Sequence, residues 1–466
     1  MRWRVGAGFT IDAVWLAVGH AAALKGFAMR IFAALFLTTA MSSVLAAPAL
    51  AQASRETLSD AVSSALANNP TILGQRKARS VADELLEQAK AGARPTLGLN
   101  GSYGSQEQDL GRTFTVGGLT FPQDGRTERA NVGLEARQSL YSGGTLTAQR
   151  KQAEAGVSGA EARLTGFEQQ LVLDVVTAFV DVRRAEQELS IRETNVKSLK
   201  TQVQAATDRF DVGEVTRTDV AQAQARAAGS EAEFSASRAG LSAARAKFER
   251  LVGRPAVQLA EPPAAPQVPG SLEAAVALAL ADNPQVLTAK ANEKAAEQAI
   301  KVAKGALLPK VGLVGNAGVI ETYQDQTFRD TNFGLSAQVT VPIYQGGLAS
   351  SKTRGARLEA DQARYNRMAT ERAVTEQVTA TWDALIAARE GITASRSRVT
   401  AAEIALEGAE QELAVGTRIT LDVLDQEREL LEARLGLVDA ERQAYIATHQ
   451  LLATTGRLEP EIIAAN

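Results

Sequence analysis

The sequence contains no cysteine, which excludes disulfides, thiol nucleophiles and zinc–thiolate sites. It has only two histidines: His20 lies near the amino end, and His449 is isolated near the carboxyl end. A histidine-based catalytic triad or metal centre therefore has almost nothing to be built from. There is no glycine-rich nucleotide motif, and a net charge of −3 gives no indication of nucleic-acid binding. These absences argue against an enzyme, and no cofactor is expected.

Aromatic residues are also scarce, at 5% of the chain, whereas alanine, glutamine, glutamate and arginine are abundant. This composition favours long helices over a large compact core.

The amino-terminal region has the pattern of an export signal. From Met29, a basic Arg30 is followed by an apolar run over 31–45 and by the small-residue sequence Ala49-Leu50-Ala51. A membrane anchor is the alternative, but the run is shorter than the roughly 20 residues of a spanning helix. We therefore predict a leader and signal peptide over 1–51, with Met29 as a candidate true start and export across the inner membrane.

Two copies of one unit follow. The segment LSDAVSSALANNP (58–70) matches LEAAVALALADNP (272–284), and LYSGG (140–144) matches IYQGG (343–347). The offset falls from 214 to 203 residues between these matches, so the first copy holds eleven extra residues, assigned to a surface loop within Gly111–Gly125. The predicted organisation is repeat 1 at 52–253, a proline-rich linker at 254–270, repeat 2 at 271–458 and a tail at 459–466.

Each copy contains segments in which apolar and polar residues alternate. Over 332–339, for example, Phe333, Leu335, Ala337 and Val339 alternate with Asn332, Ser336 and Gln338. This period of two predicts one-sided strands at about 95–108, 128–141, 309–322 and 330–343. Half-buried strands of a soluble protein would show the same pattern, although the lengths also suit membrane-crossing strands.

Each copy also contains a long helical segment. No proline occurs from Gly144 to Phe210, and apolar residues recur at alternating spacings of three and four. The pattern predicts helical hairpins at about 144–252 and 346–456, with Gly213 and Gly416 in their turns. We predict Thr218 and Thr420 as the N-caps of the returning helices.

Four one-sided strands constrain the assembly. Four strands cannot close a membrane barrel, and an open sheet edge cannot lie in lipid. The smallest membrane barrels have about eight strands, so the strands must be pooled between two, three or four chains. The long helices are too polar to cross a membrane and must project into the periplasm.

The repeated LxxAVxxALxxNP, the YxGG strand exits and the two VG turns (Val212-Gly213 and Val415-Gly416) together resemble the TolC family of outer-membrane export channels. The resemblance covers nearly all of the mature chain. It implies an α+β membrane protein: a trimer with a twelve-stranded β-barrel, four strands per chain, continuous with a periplasmic α-helical barrel. It also implies a Gram-negative outer-membrane location, and partnership with a periplasmic adaptor and an inner-membrane ABC or RND-type transporter.

Two functions remain open on the sequence. The first is a passive exit duct for type I protein secretion, multidrug efflux or both, with the cargo left open between protein, drug, metal and metabolite. The alternative is a non-conducting trimeric scaffold or surface-structure anchor.

The second VG turn is followed by Asp422 and Asp425, which share one helix face. The resemblance implies that they form acidic rings at the narrow periplasmic entrance. Acidic residues that only favour the helix dipole are the alternative, which explains Asp422 better than Asp425. No structural metal is expected, but multivalent cations should block the channel at these rings.

The resemblance also implies a latch that holds the entrance closed, formed by Arg418 of the second turn and by Thr218 and Asp219 of the first. Leu413 departs from the family here, because the best-known member has a tyrosine that bonds to the aspartate. Arg418 should therefore contribute more of the closure. The alternative is that Arg418 pairs only with Asp422.

Overall fold

A computed structural model describes residues 55–108, 113–122, 125–323 and 327–460. The predicted leader, and the tail beyond 460, lie outside the described residues. The predicted repeat 1 contains helices α1 (Leu58–Asn68), α2 (Pro70–Ala91), α3 (Thr145–Asp211) and α4 (Arg217–Val252), with strands β1 (Thr96–Gln108), β2 (Thr113–Val116), β3 (Leu119–Pro122) and β4 (Gly125–Tyr141). The predicted repeat 2 contains α5 (Leu272–Asp282), α6 (Pro284–Gly305), α7 (Leu348–Ala414) and α8 (Thr420–Thr454), with β5 (Lys310–Tyr323) and β6 (Thr327–Thr340).

The four long strands form one antiparallel sheet in the order β1-β4-β5-β6. Residues paired across strands share a face of the sheet. One such row is Leu99, Leu134, Ala317 and Phe333, and the adjacent row, on the opposite face, is Asn100, Gly133, Gly318 and Asn332. The apolar face is open, since Leu99 is 70% and Phe333 88% exposed. In these two rows, at mid-strand, one face of the sheet is apolar across all four strands and the other is polar or glycine.

Strand β6 differs from its predicted position. It covers Thr327–Thr340 rather than 330–343. Pro342 has no backbone N–H to donate to a neighbouring strand, which accounts for the earlier end.

The glycine-rich insertion contains local structure that was not predicted. Within it, β2 and β3 pair as a small hairpin. The turn residues Gly117 and Gly118 have φ angles of 61° and 87°. Two successive positive φ values are what a tight two-residue hairpin turn requires, and glycine adopts them without steric cost.

The long helices pair as two hairpins, α3 with α4 and α7 with α8. Helices α3 and α7 are each 67 residues long, or roughly 100 Å at the rise of an α-helix. The buried residues of α3 include Leu171, Val175, Val182 and Leu199 of the predicted seam. Within the described residues, no helix is long and apolar enough to cross a membrane.

The repeated asparagine–proline motif joins the ends of two helices. In repeat 1, Asn69 caps the start of α2 by accepting from the Thr71 N–H at 2.9 Å, while its Nδ2 donates to the Leu251 carbonyl at the end of α4. In repeat 2, Asn283 caps α6 and donates to the Thr454 carbonyl at the end of α8. Both asparagines are buried. One side chain thus satisfies unpaired backbone groups at two helix ends, which explains why each copy carries the motif.

The largest apolar core lies partway along α3. Phe179 is fully buried and packs against Phe248 of α4, with a ring-centroid separation of 6.3 Å. Residues of α1 and the carboxyl end of α8 join the same cluster. This core anchors the base of the helical hairpins.

Candidate functional site at the hairpin turns

The two hairpin turns have the same backbone geometry. Gly213 and Gly416 follow α3 and α7 with φ angles of 84° and 77°. After each glycine, the next N–H bonds back five residues, from Glu214 to Arg209 O and from Thr417 to Glu412 O, both at 2.9 Å. A helix ending with a residue in the left-handed conformation strongly favours glycine. Both long helices end in this way, which explains why the VG sequence occurs in both turns.

The helices that return from these turns begin differently from our prediction. Thr216, not Thr218, is the N-cap of α4, and it forms a capping box with Asp219. The Asp219 carboxylate accepts from the Thr216 N–H at 2.8 Å. The prediction for Thr420 is also wrong, because Ile419 is the N-cap of α8 and provides no side-chain bond. The spacing of Thr216 and Asp219 is the capping-box signal that could have identified the first cap.

The two predicted ring aspartates lie in different surroundings. Asp425 accepts a hydrogen bond from Arg226 Nη2 of α4 at 3.0 Å, which ties the second hairpin to the first. Asp422 makes no side-chain hydrogen bond or ion pair within the described part of the chain and is half-buried. Asp422 therefore carries the uncompensated charge. Sequence reasoning missed Arg226, although it lies two helical turns after Asp219 on the same face.

Leu424 holds the two hairpins together between these charges. It is 2% exposed and packs in one cluster with Leu199, Ala206 and Ala223 of the first hairpin. This contact fixes the rotation of α8 and so places Asp425 beside Arg226.

Two residues after Asp425 on α8, Glu427 is buried against α3. It is 6% exposed, its Oε1 accepts from the Ser198 hydroxyl at 2.6 Å, and its Oε2 has no partner within the described residues. Burial raises the pKa of the Glu427 carboxyl, with an opposing effect of the Ser198 hydrogen bond and of the nearby Gln202 side chain, and a further rise from Glu410 of α7. A buried carboxylate oxygen without a donor is costly, which favours the protonated form.

This burial makes the stability of the hairpin pair depend on pH. A carboxyl whose pKa is raised in the folded state stabilises most below its unfolded value, 4.5, and its contribution is lost as pH rises through the folded pKa. Glu427→Gln cannot ionise, so at neutral pH it should be more stable than the parent by about 1 kcal/mol, and nearly equal at pH about 4. Urea unfolding between these pH values measures the difference. Glu376→Gln, at an exposed and unpaired glutamate, should show no such trend, and parallel pH profiles for Glu427→Gln and the parent would contradict the assignment.

Arg418 lies in the second turn and pairs with Glu412 of its own hairpin. Within the described chain it contacts neither Asp422, which was the alternative, nor Thr218 or Asp219 of the first turn. A single chain therefore does not assemble the predicted latch.

The sequence was compared with models of known protein families. The family described as "Outer membrane efflux protein" matches residues 61–254 and 275–457, which together form most of the chain. The chain belongs to the outer membrane efflux protein family.

Relatives of this outer membrane efflux protein cover most of its length. The outer membrane efflux protein BepC of Brucella suis is 34% identical over 404 residues, covering 86% of each chain. The outer membrane protein TolC of Vibrio cholerae is 25% identical, covering 88% of this chain and 93% of its own. Among solved structures, the outer membrane protein VceC from Vibrio cholerae has a TM-score of 0.74 at 20% identity, covering 86% of this chain and 96% of its own.

Family membership confirms several expectations from the sequence. This outer membrane efflux protein is a channel protein and not an enzyme, and it serves as an exit duct. It lies in the outer membrane of a Gram-negative bacterium, with its helical part in the periplasm. The alternative of a non-conducting scaffold is not supported by these relatives.

Proposed function

We propose that this protein is the trimeric outer-membrane duct of a tripartite export system. Three chains would pool their sheets into a twelve-stranded barrel, and their hairpins would form a periplasmic tunnel. The two repeats would occupy 52–253 and 271–458, joined by the linker at 254–270. A periplasmic adaptor would connect the tunnel to an inner-membrane ABC or RND-type transporter.

The apolar face that runs across all four strands supports this proposal most strongly. Residues such as Leu99 and Phe333 are exposed there with nothing packed over them in the described chain, and an apolar patch of this extent marks a lipid or protein interface. Strands β1 and β6 are each paired on one side only, so their free edges need partners from other chains. Lipid on one face and neighbouring copies at both edges satisfy these requirements together.

The names of two relatives support a proposal about the cargo. AprF of Pseudomonas aeruginosa, 25% identical over 414 residues, is named an alkaline protease secretion protein, and BepC is named an efflux protein. We propose both type I protein secretion and efflux of small molecules, with selection made by the partner transporter.

Cysteine labelling tests the barrel. Because the chain has no cysteine, Asn332→Cys and Phe333→Cys each introduce a single reporter on opposite faces of β6. In outer-membrane vesicles, a membrane-impermeant thiol reagent should label position 332 at least several-fold faster than position 333. Strong labelling at Phe333→Cys would overturn the barrel, and absence of conductance in planar bilayers would overturn the duct.

The latch is a proposal about contacts between chains. We propose that, in the trimer, Arg418 binds Thr218 and Asp219 of a neighbouring hairpin, either in place of Glu412 or in addition to it. These contacts between chains would hold the entrance closed. An exposed ion pair contributes about 0.2–1 kcal/mol. Three copies together would shift the closed-to-open ratio by roughly 3- to 150-fold.

Arg418→Ser should accordingly raise the open probability or conductance in planar bilayers without lowering the yield of trimer. Arg434→Ser is the matched control, since it breaks a 2.8 Å pair with Glu403 inside the second hairpin, away from the turn. Equal conductance of Arg418→Ser and the parent would assign closure to other residues.

A further inference from the structure

A cavity of about 370 Å³ lies where the sheet meets the helices. It is open to solvent on one side and lies between the start of α3 and the end of α6. Strand β4 ends at Tyr141, only three residues before α3 begins, and β5 begins at Lys310, shortly after α6 ends at Gly305. The cavity is therefore at the ends of the strands on the helical side of the sheet.

The cavity is positively charged. Lys151, Lys301 and Lys304 line it, and none of the three forms an ion pair within the described residues. No acidic side chain is among the described residues that line it. Three lysine charges thus converge on one cavity without protein counter-charges.

The backbone adds to this potential. Helix α3 begins after Gly144, which as N-cap provides no side-chain bond. The first-turn N–H of Thr147, which also lines the cavity, has no acceptor within the described chain. A helix amino terminus with a free N–H favours an anion.

Gln298 is an independent sign that a polar ligand is missing. It lines the cavity, is 7% exposed, and its buried amide oxygen has no hydrogen-bond partner among the residues that the structure describes. The oxygen and nitrogen of a glutamine amide are interchangeable by rotation, so the same side chain can donate its NH₂ to an anion. Buried polar groups are rarely left unpaired, which points to a ligand here.

We propose that this cavity binds the phosphate of a phospholipid headgroup in the inner leaflet of the outer membrane. The placement rests on the proposed barrel, because the ends of its strands on the helical side would lie at the headgroups of that leaflet. A phosphate would receive the lysine charges, the Thr147 N–H and the Gln298 amide together. Such a contact would anchor the junction of barrel and tunnel at a fixed depth in the membrane.

The corresponding helix of repeat 1 does not have this chemistry. With the 214-residue offset, Gln298 and Lys301 correspond to Glu84 and Glu87 of α2. Two acidic side chains would repel a phosphate, so we expect one site per chain.

Native mass spectrometry of the purified protein in detergent tests the proposal. Three probes are used: phosphatidylglycerol, diacylglycerol with the same acyl chains, and inorganic phosphate. The parent should retain phosphatidylglycerol, while diacylglycerol and inorganic phosphate should bind at least about tenfold more weakly. The triple variant Lys151→Gln/Lys301→Gln/Lys304→Gln should lose at least about tenfold in phosphatidylglycerol affinity.

The matched control removes three exposed, unpaired lysines outside the cavity, as Lys77→Gln/Lys294→Gln/Lys352→Gln, and should bind like the parent. If the triple variant does not fold, Gln298→Glu places a repelling carboxylate in the cavity with little change of shape and should weaken binding as well. Equal binding by the parent and the cavity variants would overturn the site. Inorganic phosphate binding as tightly as the lipid would overturn the lipid assignment. Channel conductance should be unchanged in the cavity variants, so failure here is distinguishable from failure of the proposed duct.

Discussion

Replacing both Asp422 and Asp425 with alanine should abolish block of the channel by trivalent cations. In the proposed trimer, six carboxylates lie close together at the entrance, and hard cations bind such oxygen clusters. Loss of these charges should raise the blocking concentration by at least about a hundredfold, measured as current through single channels in planar bilayers.

The pairing seen in the structure makes the two aspartates unequal. Asp425 is already neutralised in part by Arg226, at 3.0 Å, whereas Asp422 has no cationic partner in the described chain. Asp422→Ala should therefore relieve the block more than Asp425→Ala. Arg226→Ala should instead tighten the block, because it leaves the Asp425 carboxylate with only the 3.9 Å contact to Arg428.

Glu359→Ala/Asp361→Ala is the control for net charge. It removes the same number of carboxylates from exposed positions near the start of α7, far along the helix from the turn, where neither residue is ion-paired. Its block should match that of the parent. A double mutant at Asp422 and Asp425 that is blocked as tightly as the parent would place the rings elsewhere.

Gly456→Ala should destabilise the protein by about 2–5 kcal/mol. Gly456 ends α8 with a φ angle of 75°, and a Cβ atom there would lie 2.4 Å from the Asp282 carbonyl oxygen and 2.9 Å from the Asn283 nitrogen. Both neighbours are backbone atoms between α5 and α6, so they cannot rotate away. The Gly456 carbonyl also accepts from the Gln169 side chain at 2.9 Å, and displacement of the chain would break this bond.

Gly253 is the natural control, since it occupies the same place in repeat 1. Its φ angle is 84°, but an added Cβ would meet nothing within 4 Å. Gly253→Ala should therefore cost only about 1–2 kcal/mol, from backbone strain alone. Urea unfolding of both variants separates the cost of backbone strain from the cost of the steric clash with residues 282 and 283. Equal decreases in the free energy of unfolding would show that the close approach at Gly456 is unimportant.

The sequence predicted those features that depend on local patterns. Alternation located the four long strands, the three-and-four spacing located the long helices, and the VG pairs located the turns. Strand β6 ends earlier than predicted because Pro342 was not counted as its limit. Such features depend on residues close together in the sequence, so hydrophobic periodicity and the positions of glycine and proline are sufficient to predict them.

The residues that connect the two hairpins could not be predicted in this way. Glu427 appears as an ordinary polar position of an amphipathic helix, and nothing near Asp425 indicates that it pairs with the first hairpin. Their partners, Arg226 and Ser198, lie about two hundred residues away and become neighbours only when α8 packs against the first hairpin. The local capping box of Thr216 was recognisable, but an adjacent threonine at 218 competed for the same role. Side-chain roles at this site therefore depend on the relative rotation of two hairpins, which no single segment specifies.

The equal lengths of α3 and α7 have a consequence for how such a protein can change. Both helices have 67 residues, and Leu424 after the second turn packs against Ala206 and Ala223 on either side of the first, so the two turns lie at about the same level. Inserting one heptad into a single helix would preserve its apolar seam but would put its turn about 10 Å out of line with the other. A longer or shorter tunnel would then need matched insertions or deletions in all four long helices. The length of this duct in the periplasm can therefore change only by whole heptads, about 10 Å at a time, in all four long helices together. Smaller differences in the width of the periplasm would have to be accommodated by the proposed partner proteins.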